Sequence, residues 1–423
     1  MSETALEPAA APGARGLTQE EARVASRALN RRCLIALALV LPLLAFVAFA
    51  FFAPVATMLH RSVHNPTVVE LIPGTLEVLQ GWSGEGTPPD AVLTSMAIDL
   101  KRLANDRTSG KLAEELNRGL PGTSSVVKST ARKMRRVADE ELAADGAALL
   151  LAAHKKWADP VLWSTMREVG RSYSERNFLT ALDLERGPSG GIQQRESARI
   201  YIQLYLKTLK IALIITVLTL VLGYPLAYVI AGLPAKAAGI LLIFVLLPFW
   251  TSLLVRTTSW IALLQTNGVV NSFLMGIGLT EEPFEMMYTE FATIVAMTHI
   301  LLPFMVLPLY SVMKGIDRSY MRAALSLGSG PIAAFIRVYF PMTLPGLSAG
   351  ALLVFIISVG YYITPALVGG TDGQMISNII AFHMQQSNNW ELAAALGALL
   401  LFVIIVLYWL YDRLVGAKNI KLG

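Results

Sequence analysis

Histidine and cysteine, which often carry catalysis or hold metals, number only five and one in this chain, and they form no familiar catalytic pattern. His60 and His64 stand four residues apart, a spacing that places two possible metal ligands on one helix face. No third ligand is near in sequence and Pro66 interrupts the segment, so we expect no metal site. The sequence has no Gly-x-x-x-x-Gly-Lys-Ser/Thr phosphate-binding loop, and its five histidines lie in unrelated surroundings. We therefore expect a chain that is not an enzyme and hydrolyses no ATP itself.

Polar and aromatic side chains inside long apolar runs indicate a different kind of site. Arg256 is an ionisable group at membrane depth, which indicates a functional site, or else its long side chain reaches the membrane surface. Tyr361 and Tyr362 are expected on different faces of one helix, where one ring could meet a cationic solute while the other anchors the helix. His299 is expected to be a hydrogen-bonded core histidine. The residues predicted to line a solute path are Trp250, Arg256, Trp260, Tyr361, Tyr362 and Thr364.

A polar, basic stretch at residues 317–341 separates two apolar runs. Asp317 can begin a helix, the sequence Gly328-Ser329-Gly330-Pro331 can break it, and a second short helix would end at Pro341. A helix, a break and a helix of this length are too short to form a domain. We interpret the stretch as a handle that another protein grips.

Composition places both candidate sites in a membrane protein. Hydrophobic residues make up 54% of the chain and charged residues only 15%, which is too apolar for an ordinary soluble domain. The single cysteine, Cys33, excludes an internal disulfide framework and Cys-x-x-Cys redox chemistry. The formal net charge of +5 is modest, and we expect no nucleic-acid partner.

Six apolar runs are each long enough to cross the roughly 30 Å hydrocarbon core of a bilayer. They cover residues 33–58, 204–230, 238–264, 291–313, 344–368 and 392–411. We predict an all-α membrane protein with six transmembrane helices. The long polar segment before the first run favours a span over a cleaved signal peptide. The predicted parts are an N-terminal tail 1–32, a first span 33–60, an insert 61–200, a five-helix core 201–413 and a C-terminal tail 414–423.

The insert, residues 61–200, alternates charges of both signs with apolar residues at helical spacing. Thr87-Pro88-Pro89-Asp90 is predicted to form a capping box, and the helix it opens would align Leu93, Met96, Leu100 and Leu103. A second helix in residues 139–157 would place Leu142, Leu149, Leu150 and Ala153 on one face, with Gly146 as the small residue between them. We interpret the insert as a helical cap that packs on its own apolar stripes, with docking of a partner protein as the alternative.

Loop charges predict the orientation. Residues 265–290 and 366–391 contain no Lys or Arg, whereas the remaining connections and both tails are basic. Their basic residues include Arg31, Arg32, Lys236, Lys314, Arg318, Arg322, Arg337, Arg413, Lys418 and Lys421. The positive-inside rule therefore predicts that residues 317–341 and both termini are cytoplasmic. The insert would be periplasmic, because long loops translocate largely regardless of charge.

The stretch 317–341 resembles the cytoplasmic loop of permease subunits in binding-protein-dependent ABC importers. That loop carries Glu-Ala-Ala, three residues, Gly, nine residues and then Ile-x-Leu-Pro. Here Arg322 replaces the glutamate with the opposite charge, while the spacing is kept throughout. We call residues 317–341 the coupling loop. The residues to which the resemblance and the helix start assign coupling to an ATPase are Asp317, Arg322, Ala323, Ala324, Gly328, Val338 and Pro341.

Longer stretches, in residues 246–271, 299–317, 343–370 and 387–402, are similar to permeases of spermidine/putrescine ABC importers. The resemblance implies a subunit of the type I importer fold in the bacterial inner membrane. It implies four further partners: a second, similar permease, two ATP-binding subunits that hold ATP and Mg, and a periplasmic substrate-binding protein. No cofactor is expected on this chain itself. A polyamine is the implied solute, and permeases for opines, iron and thiamine are close relatives.

Two other classes of function stay open. A stand-alone secondary transporter would be expected to carry coupling acids within its spans, and the predicted spans contain no buried Asp or Glu. A membrane receptor or scaffold could use the insert as a sensor and would not need the coupling loop.

Overall fold

The computed structural model describes residues 19–186, 191–195 and 199–415. The sequence Gly187-Pro188-Ser189-Gly190-Gly191, whose composition predicts a turn, falls mostly outside this range, as do most of the N-terminal tail and residues 416–423 of the C-terminal tail. The described chain begins with α1 (Gln19–Val47), which continues through a π-helical turn (Ala48–Phe52) into α2 (Ala53–Val63). Residues Leu34–Val63 are long and apolar enough to cross a membrane, in agreement with the first predicted span.

In its described residues, the insert is built from eight α-helices, a 3-10 turn (Lys155–Ala158) and one small hairpin. The helices are α3 (Thr67–Leu71), α4 (Pro73–Leu79), α5 (Asp90–Asn105), α6 (Ser109–Gly119), α7 (Ser124–Met134), α8 (Asp139–Ala153), α9 (Pro160–Val169) and α10 (Arg176–Ala181). The hairpin pairs β1 (Leu184–Arg186) with β2 (Ile192–Gln194) in antiparallel register, with Glu185 opposite Gln193.

A hydrophobic core of its own holds the insert together. The four apolar residues predicted to share one face of α5 are all at most 1% exposed. Trp157 and Trp163 are fully buried, and the indole of Trp157 donates to the hydroxyl of Thr130 at 3.0 Å. Gly146 lets α8 approach α5, because a Cβ there would lie 3.1 Å from the Thr94 methyl group. The insert thus packs on its own apolar stripes.

The predicted capping box at the start of α5 is wrong. Pro89 is the capping residue and provides no side-chain hydrogen bond. The hydroxyl of Thr87 instead donates to the carbonyl of Ala158 at 3.3 Å, so it joins two parts of the insert. The spacing of residues does not show whether the Thr87 hydroxyl caps its own helix or bonds to a carbonyl that is distant in sequence.

The rest of the chain forms a helical core. Its helices are α11 (Tyr201–Gly232), α12 (Ala235–Trp250), α13 (Leu253–Leu264), α14 (Val269–Gly276), α15 (Glu290–Gly315), α16 (Arg318–Ser326), α17 (Pro331–Ala334), α18 (Phe340–Gly360), α19 (Ile363–Val368), α20 (Ile376–Gln385) and α21 (Trp390–Val415). Among the described residues, five helices could cross a membrane, or six if α12 and the bent segment after it form one span. The predicted all-α architecture is confirmed with five to six spans, and in the described ranges β structure is confined to the hairpin and an isolated bridge between His64 and Tyr173.

Close packing of α11, α15 and α18 forms the centre of the core. Gly346 and Gly350 are both buried on α18 against α15. A Cβ at Gly346 would lie 2.8 Å from the carbonyl oxygen of Pro308, and one at Gly350 would lie 2.9 Å from the sulfur of Met305. The Gly346-x-x-x-Gly350 spacing thus permits the close packing of α18 on α15.

Two predicted spans are interrupted. The run 238–264 was expected to be one helix, but α12 ends at Trp250 and the next helical segment is bent away by 95°. Pro248 lies in the last turn of α12, and the hydroxyl of Ser252 caps α13 by accepting from the backbone N–H of Val255 at 3.2 Å. The run 344–368 is likewise divided, because α18 ends at Gly360 and α19 begins at Ile363.

Candidate functional site

The coupling loop begins with a capped helix. The Asp317 carboxylate accepts from the backbone N–H of Ser319 at 2.7 Å and starts α16. Hydrogen bonds from Ser319 hold the pKa of the Asp317 carboxyl below its ordinary value, and the charge of Arg322 lowers it further. Gly328 has φ +88°, a left-handed conformation that ends the helix, and Pro331 begins α17. The predicted helix start and break are thus present.

Large apolar side chains of the coupling loop face outward. Leu327 is 88% exposed, Ile332 75% and Ile336 58%. Arg322 and Ala323 are exposed on α16, whereas Ala324 is buried at 8%. Several exposed apolar side chains on one short stretch are typical of a protein–protein contact.

Polar contacts and aromatic rings tie the coupling loop to α11. A guanidinium N–H of Arg318 donates to the carbonyl of Gly232, the last residue of α11, at 2.5 Å. Just before the loop, the ammonium of Lys314 at the end of α15 donates to the carbonyl of Leu233 at 3.3 Å. Phe335 stacks on Tyr339 with ring centroids 5.6 Å apart, and Tyr228 of α11 lies edge-on to both rings. These contacts fix the coupling loop against the C-terminal end of α11.

The predicted helix end at Pro341 is wrong. The chain stays helical from Pro331 to Gly360, a length of 30 residues, through a π-helical turn at Phe335–Tyr339 that contains the half-buried Val338. Pro341 lies at the start of α18, where the missing N–H is tolerated. The second half of the coupling loop and the fifth span are therefore one continuous helical segment.

Arg256 folds back onto the break between α12 and α13. Its guanidinium donates to the carbonyl of Thr251 at 3.0 Å and to the Thr251 hydroxyl at 3.4 Å. That carbonyl belongs to the capping residue that follows α12, so it lacks the partner that a continuous helix would supply. Arg256 thus supplies hydrogen-bond donors to a backbone carbonyl that would already be paired in the expected continuous helix.

Trp260 connects α13 to α15. Its indole N–H donates to Nδ1 of His299 at 3.3 Å, with the two ring centroids 5.5 Å apart. His299 is hydrogen-bonded as expected, but its side chain is exposed in this chain, so the expected position in the core is wrong. Trp250, at the end of α12, is 71% exposed.

Tyr361 and Tyr362 lie in the break between α18 and α19 rather than on two faces of one helix, so that expectation is wrong. Their carbonyls accept hydrogen bonds of 2.7 Å each from the hydroxyl of Ser377 and the side-chain amide of Asn378, both on α20. Thr364 is fully buried, and its hydroxyl has no hydrogen-bond partner among the described residues. Sequence reasoning missed Ser377 and Asn378, because neither lies in an apolar run or a motif.

The predicted path residues thus form two groups, one at each helix break. Trp250, Arg256 and Trp260 belong to the break after α12, whereas the two tyrosines and Thr364 belong to the break after α18. The short helix α19 packs against both α13 and α15, which brings elements of the two breaks into contact.

Comparison with known proteins places this arrangement in a family. Residues 213–418 match the family described as binding-protein-dependent transport system inner membrane component. The spermidine/putrescine transport system permease protein PotB of Escherichia coli K12 is 39% identical over 196 residues, which are 46% of this chain and 71% of PotB. The chain belongs to this family. It is therefore a permease subunit and a multi-pass protein of the inner membrane.

A second PotB and a solved structure are also similar to the chain. PotB of Haemophilus influenzae is 34% identical to this permease over 197 residues, covering 47% of this chain and 69% of that one. A crystal structure of a bacterial ABC transporter that imports alginate matches 53% of this chain and 81% of its own, with 18% identity and a TM-score of 0.44. The matched residues 213–418 contain the coupling loop and both helix breaks, whereas the insert lies before them.

Proposed function

We propose that this permease forms half of the solute path of an ABC importer and that the coupling loop receives the motion of a cytoplasmic ATP-binding subunit. The observation that carries the proposal is the continuous helical segment from Pro331 to Gly360. One end of it belongs to the outward-facing apolar surface of the coupling loop, and the other ends at the Tyr361–Tyr362 break. At about 1.5 Å per residue such a segment is about 45 Å long, enough to join the two ends of a span.

The proposed mechanism is a shift between two states of the path. Closure of a pair of ATP-binding subunits moves α16 and α17, and the continuous helix carries that movement to the break after α18. ATP binding then favours one of the two states and so changes which side of the membrane the path faces. In this scheme ATP and Mg bind to the partner subunits, and this chain holds no cofactor.

The other proposed partners follow from the family. A second, similar permease completes the path, and a periplasmic substrate-binding protein delivers the solute. In the proposed orientation the coupling loop and both termini face the cytoplasm and the insert faces the periplasm. The exposed basic residues of the coupling loop, Arg322 and Arg337, would then face an ATP-binding subunit.

A polyamine is the proposed solute, because PotB relatives are named for spermidine and putrescine. Residues 265–290, which connect two spans, carry four Glu and no Lys or Arg, and such a surface attracts cations. The rings of Tyr361 and Tyr362 could then contact ammonium groups. An opine, iron or thiamine would be the solute if polyamines failed to compete in the assay below.

Reconstitution tests the proposal. The permease is placed in liposomes with its partner subunits, and uptake of labelled spermidine is measured with and without ATP. ATP-dependent uptake that unlabelled putrescine competes for is the expected result. Uptake that needs no ATP-binding subunit would instead identify a stand-alone secondary transporter, and a chain that moves no solute in any combination would favour a receptor.

A matched pair of glycines tests the coupling loop. Gly328 and Gly330 both have open space where a Cβ would lie, but only Gly328 has a positive φ, at +88°. Gly328→Val should therefore distort the turn and abolish most uptake, whereas Gly330→Val should leave uptake near the wild-type rate. Equal amounts of both variants in the membrane are the control, and equal uptake by both would contradict the role of the turn.

A further inference from the structure

Arg118 of α6 provides a polar contact between the insert and the core, in addition to the packing of α10 against α21. One guanidinium nitrogen donates to the carbonyl of Asn388 at 3.0 Å and contacts that of Ser387 at 3.5 Å. The other donates to Glu115 at 2.5 Å and lies 4.0 Å from Glu391. The side chain of Arg118 is 20% exposed, so most of it is withdrawn from water. An arginine suits this place, because its planar fork can reach carbonyls and carboxylates at once.

Residues 387–388 directly follow α20, whose C-terminal end is fixed by further contacts. Nδ1 of His383 lies 2.9 Å from the hydroxyl of Ser387, and Nε2 of His383 lies 3.3 Å from the hydroxyl of Tyr201. Arg118 therefore acts on a connected end of the helix and not on a free loop.

The N-terminal end of α20 holds the break in the fifth span. Ser377 and Asn378 donate to the carbonyls of Tyr361 and Tyr362, as described above. Asn378 also accepts from the backbone N–H of Met375 at 3.0 Å. With ten residues, α20 is too short to cross a membrane. The chain just after the C-terminal end of α20 contacts Arg118 of the insert, and its N-terminal end contacts the Tyr361–Tyr362 break on the predicted solute path.

We propose that Arg118 is a positioning residue for transport: it sets the place of α20 from the insert and, through Ser377 and Asn378, holds the Tyr361–Tyr362 break in its working geometry. The inference rests on the proposed transport function. It gives the insert a role in the permease itself, beyond a cap that packs on its own core. A linkage of this kind is tested by coupling between its two ends rather than by position alone.

A double-mutant cycle in the reconstituted importer measures that coupling. Arg118→Ala and Asn378→Ala are each expected to lower the maximal rate of ATP-dependent spermidine uptake by about three- to thirty-fold. Since Arg118 and Asn378 both position α20, the double variant should transport little more slowly than the slower of the two single variants. Arg118→Lys, which keeps the charge but not the fork, should recover part of the rate.

Arg102 provides a matched control within the insert. Like Arg118, it pairs with a carboxylate three residues earlier, Asp99 at 2.9 Å, and it donates to a backbone carbonyl, that of Leu71 at 2.7 Å. Both of its partners lie inside the insert. The effects of Arg102→Ala and Asn378→Ala should therefore multiply, as independent effects on separate sites do.

The outcomes are decisive in either direction. Wild-type uptake by Arg118→Ala, or effects of Arg118 and Asn378 that multiply as those of Arg102 do, would overturn the inference. Limited proteolysis shows whether the insert stays folded, and if Arg118→Ala is degraded faster, the cycle is run with Arg118→Lys in its place. Absence of ATP-dependent uptake by the wild-type complex would count against the proposed function and not against this linkage alone.

Discussion

At the scale of single residues, Arg256 shows how a charge at membrane depth can serve the backbone. Its two hydrogen bonds to Thr251 satisfy atoms at the break between α12 and α13. Arg256→Ala should leave that carbonyl unpaired and lower the stability of the permease by about 1–3 kcal/mol. Arg256→Lys should lose less, because an ammonium can still donate to the carbonyl. Thermal unfolding in detergent measures both.

Thr258→Ala is the control for this prediction, since the exposed Thr258 hydroxyl bonds only within its own helix, to Leu254 and Val255. Its unfolding temperature should stay close to that of the wild type. If Arg256→Lys were as stable as the wild type yet failed to transport, a direct contact with solute would explain Arg256 better than support of the break.

Asp317 offers a second residue-scale prediction, at the start of the coupling loop. Because the fold lowers its pKa, the carboxylate contributes fully above its ordinary value of 3.8, and the contribution is lost only as the pH falls through the lower folded pKa. At neutral pH the whole effect is therefore visible. Asp317→Ala should speed hydrogen exchange of the first amides of α16, and Asp317→Asn, which keeps an acceptor, should not. Equal exchange in both variants would contradict the cap.

At the scale of helices, hydropathy predicted where the chain is apolar but not where it changes direction. The runs 204–230 and 291–313 correspond to the unbroken helices α11 and α15. The runs 238–264 and 344–368 conceal breaks, because a window of apolar residues looks alike on either side of a turn. The partners that stabilise the second break, Ser377 and Asn378, come from a helix that is too short to be recognised as a span.

Small residues at helix contacts were more visible in the sequence than the breaks, and they lead to a prediction about packing. Gly346→Leu should force α18 away from α15, since even a Cβ would lie 2.8 Å from the Pro308 carbonyl and 3.0 Å from Val312. We expect a loss of about 1–3 kcal/mol, as in other overpacked cores. Gly360→Ala, where no atom lies within 4 Å of the added Cβ, is the control and should unfold like the wild type. A stable Gly346→Leu protein would contradict the close approach.

In the molecule as a whole, the coupling loop and the Arg118 contact between insert and core lie in different parts of the chain. The sequence predicted the first of them and not the second. The coupling loop was visible as a motif, although its continuation into α18 through a π-helical turn was not. The role of Arg118 was not predictable, because its partners at Ser387 and Asn388 are about 270 residues away in sequence. Contacts of that range depend on how helices pack, which residue spacing does not encode.

The orientation of the chain in the membrane decides whether the coupling loop can face the cytoplasm while the insert faces the periplasm. Single cysteines are introduced at Ser326 in α16 and at Ser125 in α7, both exposed, after Cys33→Ser removes the one native thiol. An impermeant maleimide should label Ser125→Cys in spheroplasts and Ser326→Cys only in inverted vesicles, because the positive-inside rule places the basic coupling loop in the cytoplasm. Thr130→Cys, at a fully buried position, should stay unlabelled in both preparations and shows that labelling reports exposure. If both exposed sites reacted from the same side, an ATP-binding subunit could not grip the coupling loop while the insert faced the periplasm, and the proposed division of the two surfaces would fail.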